Sequence, residues 1–325
     1  MGELHPHSDS GLLILLRRNN YPRRASNIQS FLTLLWNIGL EVGHSVRSIA
    51  ECKAQARLDV TVITAMIEGR TIVGDSELFK RVTALIAPNK MWSHKQFFEA
   101  KLEEQQKRHR KFEHTEYSLE PNVKTSPGGL RDIQTVMWIA NRKFGSQNFE
   151  SLVELDFLTT DERDILRAGE RLLWKIRYGL HLINGRDEDR LLFDYQRKLA
   201  EMLGYKDGDQ LAVEEFMKDY YRTAMVVSTT SELLLQHFNE ELIQGGRRAL
   251  VEPINERFQL TNNYIEVRNN DVFTEYPPAL IEIFLHIGAD KDIKGARAGT
   301  TRLIRQHLHL IDDDFRHNPE VTAMF

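Results

Sequence analysis

The sequence predicts an α+β fold: a small α/β layer followed by a mostly helical bundle domain. Three observations predict it. Over about the first ninety residues, short apolar runs alternate with stretches of helical periodicity. From Ile133 onward, apolar residues recur at helical spacing over much longer stretches. Between the two lie a polar, charge-rich helix and a loop carrying Pro121, Pro127, Gly128 and Gly129. The segments predicted are 1–92, 93–130 and 131–325.

The chain opens on a turn rich in His, Pro, Ser and Asp that runs into Leu12, Leu13, Ile14, Leu15 and Leu16, the pattern of a loop feeding a buried strand. Asn19–Arg24 reads as a polar turn, with Ser26 or Asn27 as a helix cap. Ile28, Phe31, Leu32, Leu35, Trp36 and Ile38 then predict an amphipathic helix closed by Gly39. Leu40, Val42, His44 and Val46 alternate as in a second strand, and Ser48–Ala56 as a short helix. Leu58, Val60 and Val62 alternate again, predicting a third strand that runs into a helix near Ala65–Glu68. Gly74–Ile86 predicts another helix, stopped by Pro88.

Ser93–Glu116 is polar and helical. Its run of Lys101, Glu103, Glu104, Lys107, Arg108 and Arg110 suits either a solvated face with i,i+4 pairs or contact with a phosphate. Helices are predicted over Ile133–Phe144, Asp161–Leu182 and Val213–Leu242. Gly245–Ala249 is a break, and Phe258–Tyr264 with Val267–Phe273 forms a small strand excursion. Ala279–Ile287 and Thr300–His307 return to helix.

Composition excludes several classes. A formal net charge of -4 with no basic, aromatic-interleaved stripe argues against nucleic-acid binding. Cys52 is the only cysteine, which removes an intrachain disulfide or a cysteine-based zinc site and points to a reducing, cytoplasmic setting. No run of eighteen apolar residues predicts a membrane span, and the opening lacks the order of a signal peptide. A domain rarely begins on the turn that precedes a central strand, so a shortened start is expected.

The residues able to do chemistry are mostly acidic and basic groups at element ends. Asp9 precedes the first strand and Asp59 begins the predicted third. If those strands are neighbours, the two carboxylates can share a divalent cation. Gly128 and Gly129 precede Leu130, Arg131 and Asp132; the pair serves either as a tight turn or as a phosphate cradle at a helix start. Lys124 is either a loop lysine or a point charge for a triphosphate. Arg47, after the second strand, can reach a phosphate. Arg177 and His181, four apart on a helix, are followed by Arg186, Asp187, Asp189, Arg190 and Asp194. They form either a polar cleft wall or an ion-pair network between helices.

Several long stretches carry a resemblance. They include GELHPHSD (Gly2–Asp9), WNIGLEVGHSVRS (Trp36–Ser48), LDVTVITAMIEGRTIVGD (Leu58–Asp75), SLEPNVKTSPGGLRDIQ (Ser118–Gln134), LHLINGRDEDRLLFDYQ (Leu180–Gln196) and TRLIRQHLHLIDDDFRHNPE (Thr301–Glu320). The chain resembles the DNA-polymerase-β-like nucleotidyltransferase superfamily. More closely, it resembles the family of bifunctional uridylyltransferase/uridylyl-removing enzymes that modify the nitrogen-signalling protein PII. The resemblance implies an incomplete polymerase-β-like nucleotidyltransferase domain ahead of the helical domain. It implies transfer of UMP from UTP to a tyrosine of PII, with Mg2+ or Mn2+ as cofactor. Asp9 matches the first metal-binding aspartate of the family and Asp59 the third, as catalytic and metal residues. Arg131 and Asp132 match a stretch that lines the nucleotide cleft, and Arg47, Lys124, Gly128 and Gly129 are the other residues expected to bind nucleotide.

The same comparison marks departures. Gly11 stands where the second metal-binding aspartate is expected, and the family's paired glycines would lie before Met1. Carboxylates separated by one residue on a strand point to the same side, so Gly11 removes half of a bridging pair. Impaired transfer is therefore expected. The other reading is an inactive remnant or a non-catalytic module that binds PII or nucleotide. The family's HD hydrolase and ACT domains are expected to be absent.

Overall fold

Two parallel strands open the chain, joined by a helix. In the computed structural model, which describes residues 5–8, 10–17, 21–40, 42–112, 116–145, 148–244 and 250–324, β1 (Ser10–Leu16) pairs with β2 (Val42–Ser48). Leu12 lies opposite His44 and Leu15 opposite Arg47. The crossover is α1 (Tyr21–Asn37), as parallel pairing requires. This helix starts earlier than its polar N-terminal residues suggest, because Pro22 in its first turn gives up an N–H that would have no intrahelical acceptor. Gly39, at φ 85°, ends it as expected. Among the described residues of α1, Leu32 is buried, whereas Phe31, Leu34 and Trp36 are 46%, 57% and 49% exposed.

The third strand is not formed. Ser48 and Glu51 make a reciprocal capping box that starts α2 (Ile49–Leu58), and Asp59 alone is extended before α3 (Val60–Ile67). The alternation of Leu58, Val60 and Val62 competes with a helical spacing in Ile63, Thr64 and Met66, which are the buried residues of α3. Leu58 is 79% exposed. The cap at Asp59 and burial of the helical stripe outweigh the β-branched alternation.

α4 (Ser76–Leu85) is capped by Asp75 and α5 (His94–Arg110) by a Ser93/Gln96 box. After a loop come α6 (Leu130–Phe144), α7 (Phe149–Glu154), α8 (Thr160–Asn184), α9 (Phe193–Met202) and α10 (Ala212–Asn239), the last running into a π-helical turn over Glu240–Gln244. Phe97, Ile133, Ile139, Leu173, Ile176 and Phe216 are fully buried and anchor this helical core. Arg142, also buried, donates to the carbonyls of Ile86, Met91 and Trp92 and ties α6 to the chain leaving α4.

The chain divides into two compact units, Met1–Ser231 and Glu232–Phe325. The predicted segments 1–92 and 93–130, with residues 131–231, fall in the first. The second holds a three-stranded antiparallel sheet of β3 (Val251–Pro253), β4 (Phe258–Thr261) and β5 (Tyr264–Val267) in that order. Asn262 and Asn263, both at positive φ, make the two-residue turn between β4 and β5. The strand predicted over Val267–Phe273 ends at Val267, and α11 (Val272–Glu275) follows. α12 (Ala279–Ala289), α13 (Ala298–His307), α14 (Asp313–His317) and α15 (Pro319–Met324) complete the unit. Its core gathers Phe258, Ile265, Phe273, Leu280, Ile283 and Phe315. The architecture is the predicted α+β one: a small sheet region followed by extensive helix. Among the described residues no helix is long and apolar enough to cross a membrane.

Candidate functional site

The loop before α6 is a self-bonded turn. Asn122 Oδ1 accepts from the N–H groups of Lys124 (3.0 Å) and Thr125 (2.8 Å), the local geometry that asparagine favours. Gly129, Leu130 and Arg131 donate to the carbonyls of Ser126, Val123 and Lys124 at 2.9, 3.0 and 2.8 Å. Gly128 sits at φ 73°, and a Cβ there would fall 2.0 Å from the Ala224 carbonyl oxygen of α10. Only glycine satisfies both the left-handed backbone and that approach. Its N–H donates to Asp132 Oδ2 at 2.8 Å. Of the two readings of the glycine pair, the geometry favours the turn, because both N–H groups already have acceptors inside the chain.

Asp132 is fully enclosed. Its carboxylate also accepts from Gln105 Nε2 at 3.1 Å, sits 2.9 and 3.2 Å from His109 Nε2, and pairs with the Arg108 guanidinium, all three on α5. Burial by itself raises a carboxyl pKa. The His109 hydrogen bond, the charges of Arg108 and His109, and the Gly128 N–H outweigh it and hold Asp132 below the usual carboxylate range. The residue expected in the nucleotide cleft thus locks α5 to the start of α6. Arg131 lies half-buried over the Trp138 ring, 5.0 Å from its centroid, and Lys101 Nζ lies 4.3 Å from the same ring. Trp138 Nε1 donates to Glu68 Oε1 at 2.7 Å.

Lys101, 2% exposed and 2.8 Å from Glu104, was hidden in a run that reads as solvated. Burial pulls its pKa down from the ordinary lysine value. The signal was present in the spacing: Phe97, Lys101, Gln105 and His109 recur every four residues, and all four are buried.

A second network surrounds Asp189. Arg177 Nε donates to Asp189 Oδ1 at 2.6 Å, His181 Nε2 lies 3.4 Å from the same oxygen, and Lys124 Nζ lies 3.6 Å from Oδ2. Burial opposes ionisation of Asp189, yet the Arg177 hydrogen bond and charge, then Lys124 and His181, keep its pKa below the usual range. The network extends to the loop ahead of β1. Arg177 Nη1 lies 2.9 Å from His5 Nδ1 and 3.3 Å from Ser8 Oγ, and the His7 N–H donates to His181 Nδ1 at 3.2 Å. Sequence left the Arg177–His181 group open between a cleft wall and an ion-pair network. The geometry is an ion-pair network whose far side grips the residues next to Asp9.

Asp9 itself lies outside the described residues. Asp59 is exposed, and its Oδ1 accepts from the Thr61 N–H and hydroxyl, both at 2.7 Å. Those two bonds lower its pKa, with a smaller pull from Lys101. Arg47 is in β2, and its charge acts on Glu51 and Cys52 of α2. Among the described residues, neither Asp59 nor Arg47 shares a hydrogen bond with the Asp132 or Asp189 networks. Gly11 is exposed in β1, with nothing within 4 Å of the place a Cβ would occupy. Among the described residues no group of three His, Cys, Asp or Glu can hold a metal ion. Asp59 is a single carboxylate, and Mg2+ is held by one or two carboxylates together with substrate phosphates and water.

A two-stranded layer feeds a helical body through a glycine-pair turn, and comparison with known proteins assigns this mixed α+β chain to the nucleotidyltransferase-like class. Residues 96–235 match the family model described as GlnD PII-uridylyltransferase, and residues 258–325 match the one described as uridylyltransferase GlnD third domain. Over all 325 residues the chain is 50% identical to bifunctional uridylyltransferase/uridylyl-removing enzymes of Stutzerimonas stutzeri and Azotobacter vinelandii, and 51% to that of Pseudomonas savastanoi pv. phaseolicola. The chain spans 36% of the length of each of these relatives. It belongs to the GlnD uridylyltransferase/uridylyl-removing enzyme family. Membership implies nucleotide and metal use at the level of the family.

Proposed function

We propose that the chain is a PII uridylyltransferase-type unit, built to move UMP from UTP onto a tyrosine of PII, whose transfer step is impaired at Gly11. One observation carries the reading. Gly11 lies in β1, one residue beyond Ser10 and two beyond Asp9, and the space around its missing side chain is open. A carboxylate there would project from the strand without displacing a neighbour. When bound, Mg2+ or Mn2+ would neutralise the triphosphate. Asp9 and Asp59 are the carboxylates proposed to face it, and the second of the family's three is lacking. What this chain's own residues supply is support: Asp132 fixes the turn, and Arg177 with His181 fixes the loop before β1.

The test is uridylyl transfer from labelled UTP to PII by the native chain and by Gly11→Asp. Loss of one transition-state electrostatic contact is worth on the order of 10²–10³ in rate, so Gly11→Asp is expected to exceed the native chain by about that factor. Equal, rapid turnover by both would overturn the impairment. The same observation allows a second reading, a non-catalytic module that binds PII or UTP. Calorimetric binding of either, with no turnover in native or Gly11→Asp protein, would favour it.

A further inference from the structure

We propose that Arg177 and His181 are positioning residues: with Asp189 behind them, they form a latch that holds the segment His5–Ser8 on α8 and so sets where the chain enters β1. Three contacts make the latch, two from Arg177 Nη1 to His5 and Ser8 and one from the His7 N–H to His181 Nδ1. They span more than 165 residues of sequence, so nothing local explains them. Arg177 is 8% exposed and His181 0%, whereas the segment they hold is a surface turn with half-buried His5 and Ser8. The order is therefore imposed from the helix side.

The network fixes which atom does what. His181 Nδ1 accepts from His7, so the ring proton sits on Nε2, facing Asp189 Oδ1. Arg177 presents Nε to Asp189 and Nη1 to the loop, one guanidinium spanning both. His5 Nδ1, facing that cation, acts as an acceptor and is neutral. Its pKa is pulled down to about 4, by burial first, then by Arg177 and His181, against a weaker opposing pull from Asp189 and a hydrogen bond at the Trp174 backbone. Lys124 completes the charge set on Asp189. Two cations and an imidazole share one carboxylate, and the loop histidine adds a further acceptor for Arg177.

The latch itself stands on these contacts alone. Its effect on cation binding rests on the nucleotidyltransferase reading, because Asp9 follows Ser8 directly in the chain.

Hydrogen-exchange mass spectrometry on the full chain, read at residues 5–8, tests the latch. In His181→Phe the acceptor for the His7 amide is lost, and exchange there is expected to rise about tenfold, the scale of one hydrogen bond. His181→Asn keeps an acceptor at the Nδ1 position and is expected to restore slow exchange. Should His181→Phe fail to fold, the double variant His5→Phe/Ser8→Ala breaks the latch from the loop side, leaves α8 untouched and carries the same expected rise. Unchanged exchange in the folded His181→Phe or double variant overturns the proposal, as does failure of His181→Asn to differ from His181→Phe. Mn2+ affinity, titrated by electron paramagnetic resonance, is the second readout. A drop of about tenfold or more in the double variant is expected for a supporting group one step from the ligand. If the native chain binds no Mn2+ while the exchange results hold, the cation reading fails and the latch stands.

Discussion

The carboxylate at the start of α6 and the one between α2 and α3 occupy opposite surroundings. Asp132 is enclosed by Gln105, Arg108, His109 and the Gly128 N–H, while Asp59 is exposed and accepts two bonds from its neighbour Thr61. The contrast extends to the regions they belong to. Around α5, α6 and α8, Gln105, Arg108 and His109 are paired with Asp132 and Arg177 with Asp189, while Trp138 bonds Glu68 and Arg142 bonds the chain leaving α4. In the opening layer, a two-stranded sheet and α1 leave Phe31, Leu34 and Trp36 about half exposed. One region is closed around its ions, and the other is open around its carbons. The chemistry read from sequence was placed in both. The closed region can serve it only by holding things still, and an exposed group such as Asp59 retains the freedom to meet a ligand.

The sharpest way to break the comparison is to open the closed region. Asp132→Ala leaves the Arg108 cation buried without its carboxylate, and is expected to cost about 3–5 kcal/mol of unfolding free energy. Urea unfolding of native and variant chains measures it; a loss under about 1 kcal/mol would mean that Asp132 is not a structural anchor. Next in size is Gly128→Ala. It combines a left-handed residue, costing about 1–2 kcal/mol, with an overlap against the Ala224 carbonyl. About 3 kcal/mol in total is expected, and a change near zero would show that the turn does not approach α10 as described.

How much of this was legible beforehand depends on where the information lies. The GG turn and Asp132 were legible as a unit, because glycine pairs and the acidic residue that follows them are neighbours in sequence. Which function that unit serves was not, because the side-chain partners of Asp132 come from α5, some twenty-five residues earlier, and the atom that demands Gly128 belongs to α10. The alternation of Val60 and Val62 predicts a strand beginning at Asp59. The cap that makes it the start of a helix is a side-chain bond that periodicity does not encode. Arg177 and Asp189 read as a charged group in sequence, but the contacts of Arg177 with His5 and Ser8 join positions 172 and 169 residues apart. The family was legible from long matched stretches, which carry information no single residue does.

Acid should separate the two regions. His5 is depressed from 6.5 to about 4, so the docked loop keeps its full contribution above pH 6.5 and loses it as pH falls toward 4. Asp132 and Asp189 are depressed below 3.8, so their contribution is complete above that value and lost only as pH falls through the lower folded pKa. Residues 5–8 are therefore expected to loosen first, between about pH 6.5 and 4, while the helical core remains folded. Nuclear magnetic resonance titration of the His5 ring proton, beside circular dichroism of the helices, checks the order. A single transition in both signals would place the loop and the core in one cooperative unit.

The smallest effect tests the open side, and two substitutions split it. Asp59→Ala removes the cap of α3 and is expected to cost about 1 kcal/mol. Asp59→Asn keeps an oxygen for the Thr61 N–H and hydroxyl, and asparagine caps as well as aspartate, so stability should shift by only a few tenths of a kcal/mol. The two variants remove the same negative charge. If Mn2+ binding to the native chain is weakened equally by both, the carboxylate is acting on the cation. If it is weakened only by Asp59→Ala, the cap is what matters, and Asp59 supports a site built elsewhere. Both bonds from Thr61 land on Oδ1, so capping and coordination need not compete for the same oxygen, and a strong effect of Asp59→Asn on Mn2+ with none on unfolding is the expected result.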